Sequence, residues 1–192
     1  MSVQAVASAQ AQVQPVRLQP RRPWQEDAGL YSELFGDPAV AATLWPGALG
    51  GARSEQQALA ILAADIQHWR EESFGPWIFF QASTGEFVGR CGLLRATILG
   101  RESVELLYAL RAECWGEGYA TEMAITALAH ARRLGLEEVV GFTTMSNGAS
   151  RQVLEKVGVH YERSFERAGL PHWLGRWHPS PERLPPQSPP IV

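Results

Sequence analysis

The stretch Trp115-Gly116-Glu117-Gly118-Tyr119-Ala120-Thr121-Glu122-Met123-Ala124 joins a turn with two glycines directly to an apolar helix. That junction makes an anion site. Small residues let the backbone approach a ligand closely, and the first N–H groups of a helix lack intrahelical partners. An ordinary strand-to-helix turn is the competing reading. The dinucleotide fingerprint G-x-G-x-x-G, read from Gly116, would need a third glycine where Thr121 stands. The nucleotide-triphosphate loop needs Gly-Lys-Ser/Thr, and Gly118 is followed by Tyr119 and Ala120. The expected ligand is therefore a phosphorylated cofactor of another kind.

The rest of the chain sets the frame for that junction. Its 192 residues suffice for one domain with a substantial core. A formal charge of -3 with no Lys/Arg run longer than two carries no nucleic-acid footprint. No apolar run approaches the ~18 residues of a membrane span. Cys91 and Cys114 are too few for a disulfide framework, no Cys/His spacing suggests a metal, and a reducing cytoplasm is expected. Residues 1–14 are expected to be a disordered tail without a secretory signal. Residues 15–178 form the domain, and 179–192 a second tail with six prolines.

Within the domain, Val16–Gln19 reads as a first strand and Trp24–Phe35, after Pro23, as a helix. Ser54 and Gln57 form a capping box ahead of Ala58, Ile61, Leu62, Ile66 and Trp69 at helical spacing. Residues 77–82 and 87–94 predict a hairpin across Ser83-Thr84-Gly85-Glu86. Residues 103–110 alternate, with Val104, Leu106, Tyr108 and Leu110 on one face and Glu105, Leu107 and Ala109 on the other. A long helix over 117–134, a strand over 139–144, a short helix over 149–157 and strands over 161–165 and 172–177 complete the order. The class is α+β, a mixed and mostly antiparallel sheet flanked by helices.

Trp115, Gly118 and Ala120 fill, with a departure at the first slot, the pattern Q/R-x-x-G-x-G/A. Together with Val104–Leu110 upstream and Asn147–Gly158 downstream, the chain resembles the GNAT superfamily of N-acetyltransferases, in the order and spacing of its RimJ/RimL-like branch. The resemblance covers residues 16 to 178. It implies acetyl-CoA as cosubstrate and no metal. It implies backbone contacts to pantetheine at Leu110 and Arg111, and a pyrophosphate held by Trp115, Gly116, Glu117, Gly118, Tyr119, Ala120 and Thr121. It also implies an Asn147 contact to the pantetheine arm, and Ser150 near the thioester sulfur as donor to the departing thiolate. Other branches use a Tyr seven residues after the Asn, where this chain has Leu154. A Tyr common near the end of the branch is replaced by Gly175.

Some residues carry two readings. Asn147 and Ser150 open a helix, so capping alone could account for them. Glu105 is a carboxylate in an apolar strand, either a general base or a salt-bridged strand residue. Tyr108 reads as core. Deprotonating an α-amine of pKa about 7.7–8.0 costs about 1 kcal/mol at pH 7, against about 4.6 for a lysine near 10.4. A site with no strong base motif suits the easier amine. The expected acceptor is a protein N-terminal amine, then a small-molecule amine such as an aminoglycoside or polyamine, while a module that binds acetyl-CoA without turnover is the rival. Neither nucleic acid nor membrane is an expected partner, and a homodimer is left open.

Overall fold

A computed structural model describes residues 17–179. The proposed start of the first strand at Val16, the tail over 1–14 and nearly all of the tail over 179–192 lie outside the described residues. Seven strands form one sheet: β1 (Leu18–Arg21), β2 (Pro76–Gln81), β3 (Phe87–Ile98), β4 (Arg101–Leu110), β5 (Val139–Thr144), β6 (His160–Arg167) and β7 (Leu170–Trp177). Their order across the sheet is β1-β2-β3-β4-β5-β7-β6, and every pair is antiparallel except β4 with β5. A parallel pair needs a crossover, which α4 (Tyr119–Arg133) supplies.

The predicted alternation of β4 sorts the two faces. Val104, Leu106 and Leu110 are buried against Met123, Ala124, Ala127, Leu128 and Ala131 of α4, the apolar stripe of that helix. On the other face, Ala109 packs with Tyr31, Leu34 and Phe35 of α1 (Ala28–Gly36), and with Ala58 and Leu62 of α3 (Glu55–Glu72). The capping box of α3 forms as expected. Ser54 Oγ accepts from the Gln57 N–H at 3.3 Å and Gln57 Oε1 from the Ser54 N–H at 2.9 Å.

The helical segments differ from expectation in three places, and β1 ends at Arg21 rather than Gln19. The single helix from Trp24 becomes a 3-10 turn, Gln25–Asp27, followed by α1. Buried Asp27 accepts from the Trp24 N–H at 2.7 Å and pairs with Arg21, which pins the chain before the helix begins. An unpredicted helix, α2 (Pro38–Leu44), follows α1 at once. Asp37 Oδ1 accepts from the Ala39 N–H at 2.7 Å, and Pro38 occupies the first helical position, where its missing donor costs nothing. The long helix starts at Tyr119, because Gly118 is its N-cap with φ 81°.

The β3–β4 and β6–β7 hairpins are longer than read from sequence, because each closes on two residues with positive φ. These are Leu99 (52°) with Gly100 (77°), and Ala168 (50°) with Gly169 (72°), the signs a type I′ turn requires. Asn or Gly is the usual first residue of such a turn, so leucine and alanine gave no turn signal there. Ala168→Asn is expected to raise stability by about 0.5–1 kcal/mol, since Asn tolerates the left-handed region that Ala resists. Urea unfolding checks this, and an unchanged or lower midpoint would contradict it.

Candidate active site

The sheet opens between β4 and β5. These strands share one register position, Glu105 opposite Val140, whereas β4 pairs with β3 along Arg101–Leu110 and β5 with β7 along Val139–Thr144. Beyond that position the edges 106–110 and 141–144 face each other without pairing, and they carry backbone donors and acceptors that need partners. Leu110 belongs to that edge. The Arg111 N–H donates to Val88 O at 3.0 Å on the β3 side, so the trans peptide turns the Leu110 carbonyl toward the opening. There it accepts from Trp115 Nε1 at 3.1 Å. The Arg111 side chain turns elsewhere, pairing with Glu33 at 3.0 Å and Glu113 at 3.6 Å.

The glycine turn lies at the head of α4. Gly116 and Gly118 both have φ 81°, a conformation that favours glycine. The N–H groups of Thr121 and Glu122 bond to Gly118 O at 3.1 and 3.2 Å. Those of Gly118, Tyr119 and Ala120 have no acceptor among the described residues. Three unpartnered amides at a helix N-terminus fit a pyrophosphate. Arg17, just before β1, was not singled out in the sequence and has no local signal. It donates to Glu117 O at 2.9 Å and to Glu122, and it lies 4.7 Å from the centroid of the Tyr119 ring. Its partners raise its pKa, the Glu122 hydrogen bond first. Glu117 is exposed, so its carboxylate need not confront an anion.

On the α4 side of the sheet, α5 (Gly148–Lys156) presents Ser150. Asn147 is the cap that its position allowed, with Oδ1 accepting from the Ser150 N–H at 3.0 Å and Nδ2 3.5 Å from Thr43 O of α2. Tyr108 is more than core. Its Oη lies 2.9 Å from Ser150 Oγ and donates at 2.9 Å toward Ser150 O. Burial raises its pKa, so the phenol stays protonated. Leu154 is fully buried and fills the space beside Gly141, where an added Cβ would lie 2.7 Å from Leu154 Cδ2. No acid group stands at that position.

Glu105 sits on the opposite face of β4 from Tyr108, and shares its face with Val140. Burial pushes its pKa up to about 7, against the lowering influence of the Arg167 and Arg90 guanidinium groups. Ser150 and Glu105 are therefore on the two sides of the opening rather than in contact.

The remaining singled-out residues have structural roles. His172 is buried with Nδ1 2.9 Å from Leu170 O, and His130 packs edge-on against Trp77. Gly175 lacks a side chain because the Trp173 ring covers it, and an added Cβ would lie 2.4 Å from that ring. Both cysteines are free and buried. Among the described residues no group of three His, Cys, Asp or Glu could hold a metal, and no helix is long and apolar enough to cross a membrane.

Residues 17–160 match the family described as "Acetyltransferase (GNAT) domain". YkkB of Bacillus subtilis (strain 168) is 27% identical over 150 residues, covering 77% of this chain and 83% of that protein. An acetyltransferase from Agrobacterium tumefaciens superposes with a TM-score of 0.73 at 21% identity, over 93% of this chain and all of that one. The ribosomal-protein-S5-alanine acetyltransferase of Vibrio fischeri gives 0.69 at 14% identity, over 86% of this chain and 94% of its own. A spermidine N-acetyltransferase from Vibrio cholerae, in complex with CoA and spermine, gives 0.66 at 14%, over 84% and 95%.

Proposed function

We propose that this chain, which belongs to the acetyltransferase (GNAT) family and uses acetyl-CoA, acetylates the N-terminal amine of a protein by direct attack, with no covalent enzyme intermediate. One observation supports the site above all others. The β4 edge that parts from β5 beyond Glu105–Val140 leads directly into the turn before a helix N-terminus whose first amides lack acceptors. An extended arm ending in a pyrophosphate matches both.

Acetyl-CoA supplies an acetyl thioester. The amides of Gly118, Tyr119 and Ala120, with the rest of the turn from Trp115 to Thr121, hold the pyrophosphate. Leu110 and Arg111 offer backbone groups to the pantetheine, and the Asn147 amide adds a donor. Ser150 donates a hydrogen bond to the departing sulfur on the α4 side. Glu105, on the other face, takes the proton of the incoming amine. The two faces of the opening thus separate nucleophile from leaving group. A reducing cytoplasm suits the two buried free thiols.

The acceptor follows from proton matching. A base near 7 takes the proton of an α-amine of pKa about 7.7–8.0 at a cost of about 1 kcal/mol, but of a lysine amine near 10.4 at about 4.6. That favours the class to which the S5-alanine enzyme belongs by name. A polyamine is the second reading, on the likeness to the spermidine enzyme and a cavity of about 420 Å³ that bears Glu33, Asp37 and Glu113. Glu33 and Glu113 share the single Arg111 cation and Asp37 caps α2, so the lining keeps a net negative charge suited to a polycation, and the polyamine ranks second on proton matching alone.

The first test is calorimetric titration of acetyl-CoA. The native chain is expected to bind, and Gly118→Trp, which forces a bulky side chain into a positive-φ position beside Arg17, is expected to lose at least tenfold in affinity while remaining folded. No binding by the native chain would end the site assignment. CoA release with N-terminal peptides, spermidine and an aminoglycoside then ranks the acceptors. Binding without turnover on any of them would favour the non-catalytic module.

A further inference from the structure

The position of Tyr108 has a consequence for the reaction. A serine in the first turn of a helix has two easy fates for its hydroxyl, rotation into solvent or a bond to a carbonyl one turn back. Ser150 takes neither alone. Its Oγ sits 2.9 Å from Tyr108 Oη, and Tyr108 reaches it from β4, a strand that borders the opening. The phenol has one proton and two acceptors within 2.9 Å, Ser150 O and Ser150 Oγ. In the first arrangement the phenol donates to the carbonyl, so the serine hydroxyl must donate back to the phenol and has no proton for anything else. In the second the phenol donates to Oγ, and the serine proton is free for another acceptor. Ser150 O lies within α5, where the intrahelical ladder offers it a second donor, so losing the phenol leaves it satisfied.

We propose that Tyr108 is a positioning residue for the transfer. As the thioester sulfur gains negative charge, the pair switches to the second arrangement, with Tyr108 donating to Ser150 Oγ and Ser150 donating to the sulfur. The inference rests on the acetyltransferase reading of this site. In the transfer the amine nitrogen forms the new C–N bond, the C–S bond breaks with its electron pair leaving on sulfur, and the amine proton passes to Glu105. Tyr108 keeps its own proton throughout. Burial raises its pKa, so it acts as a donor and not as an acid that ionises. A chain of two hydrogen bonds polarises each member and holds the serine in one rotamer.

The test uses three variants of the full chain, Tyr108→Phe, Ser150→Ala and the pair together, each checked for thermal stability. Native protein is first titrated with acetyl-CoA and assayed for CoA release with an accepted amine. Absent binding there would overturn the site reading itself, and this inference with it. Given native turnover, Tyr108→Phe is expected to lower kcat about tenfold with acetyl-CoA affinity and amine KM within about twofold of native, which is the loss of one hydrogen bond made in the transition state. The double variant is expected to be no slower than Ser150→Ala, because the phenol acts only through the serine. A native kcat in Tyr108→Phe would overturn the inference, as would effects that multiply in the double variant, or a loss confined to KM or to stability. Native kcat in Ser150→Ala would overturn it while leaving acetyl-CoA binding intact.

Discussion

Replacing Asp65 with alanine is expected to cost about 3–5 kcal/mol of folding stability, read from the urea midpoint. Asp65 and Arg90 are both buried, at 1% and 8% exposure, and the guanidinium meets the carboxylate through Nε and a terminal nitrogen. Tyr31 Oη adds a hydrogen bond to Asp65 Oδ2 at 2.6 Å. The three groups come from α3, β3 and α1, so the network ties both helices on that side to the sheet. Desolvation alone would lower the pKa of Arg90, but the Asp65 charge and hydrogen bonds reverse this and hold it above its ordinary value. The arginine therefore remains charged at every accessible pH, and without Asp65 it is a buried cation that has lost its hydrogen-bonded counter-ion. Tyr31→Phe is the informative comparison. It removes one donor but leaves the fork intact, so it should cost only about 1 kcal/mol. A cost below about 1 kcal/mol for Asp65→Ala would mean that water reaches Arg90, and the network would lose its role as the clamp for these helices.

Such a network was invisible in the sequence, since Tyr31, Asp65 and Arg90 are separated by 34 and 25 positions and each looks ordinary in its own window. What could be read was periodic or local. The alternation of β4 gave the two faces correctly, the Ser54–Gln57 box placed the start of α3, and the glycine run marked the head of α4. For α2 the local signal is short, an Asp–Pro pair as cap and first residue. The two tight hairpins had almost none, because Leu99 and Ala168 occupy positions where a turn usually shows asparagine or glycine. In the candidate site, the residues proposed came from motif, and their placement depends on tertiary register. Ser150 was legible, but its contact with Tyr108 spans 42 positions and depends on how α5 seats against β4. The opening itself is a matter of where strand pairing stops. Nothing in the composition of β4 or β5 states that they part after Glu105 and Val140.

Glu105→Gln is expected to lower kcat by about 10²-fold or more while leaving acetyl-CoA affinity unchanged, and to make the protein more stable above neutral pH. Both effects follow from burial holding the carboxyl near 7, where its ordinary value is 4.5. As a base Glu105 must be ionised, so native kcat/KM with an amine should carry an acid limb near pH ~7 beside the one set by the amine at about 7.7–8.0, and the variant should keep only the amine's. The stability sign is the opposite. Between about 4.5 and 7 the folded chain still holds this proton while the unfolded chain has released it, so the unfolded state binds fewer protons and stability falls as pH rises. The penalty is complete above 7 and absent below 4.5. Glutamine never ionises, so native and variant should unfold at similar temperatures near pH 4 and separate at pH 8, with the variant higher. A salt-bridged strand carboxylate would behave otherwise, because removing it would lower stability at pH 8 and leave turnover alone. The reading of Glu105 as base therefore stands or falls on two independent curves, the pH dependence of kcat/KM and that of the melting temperature.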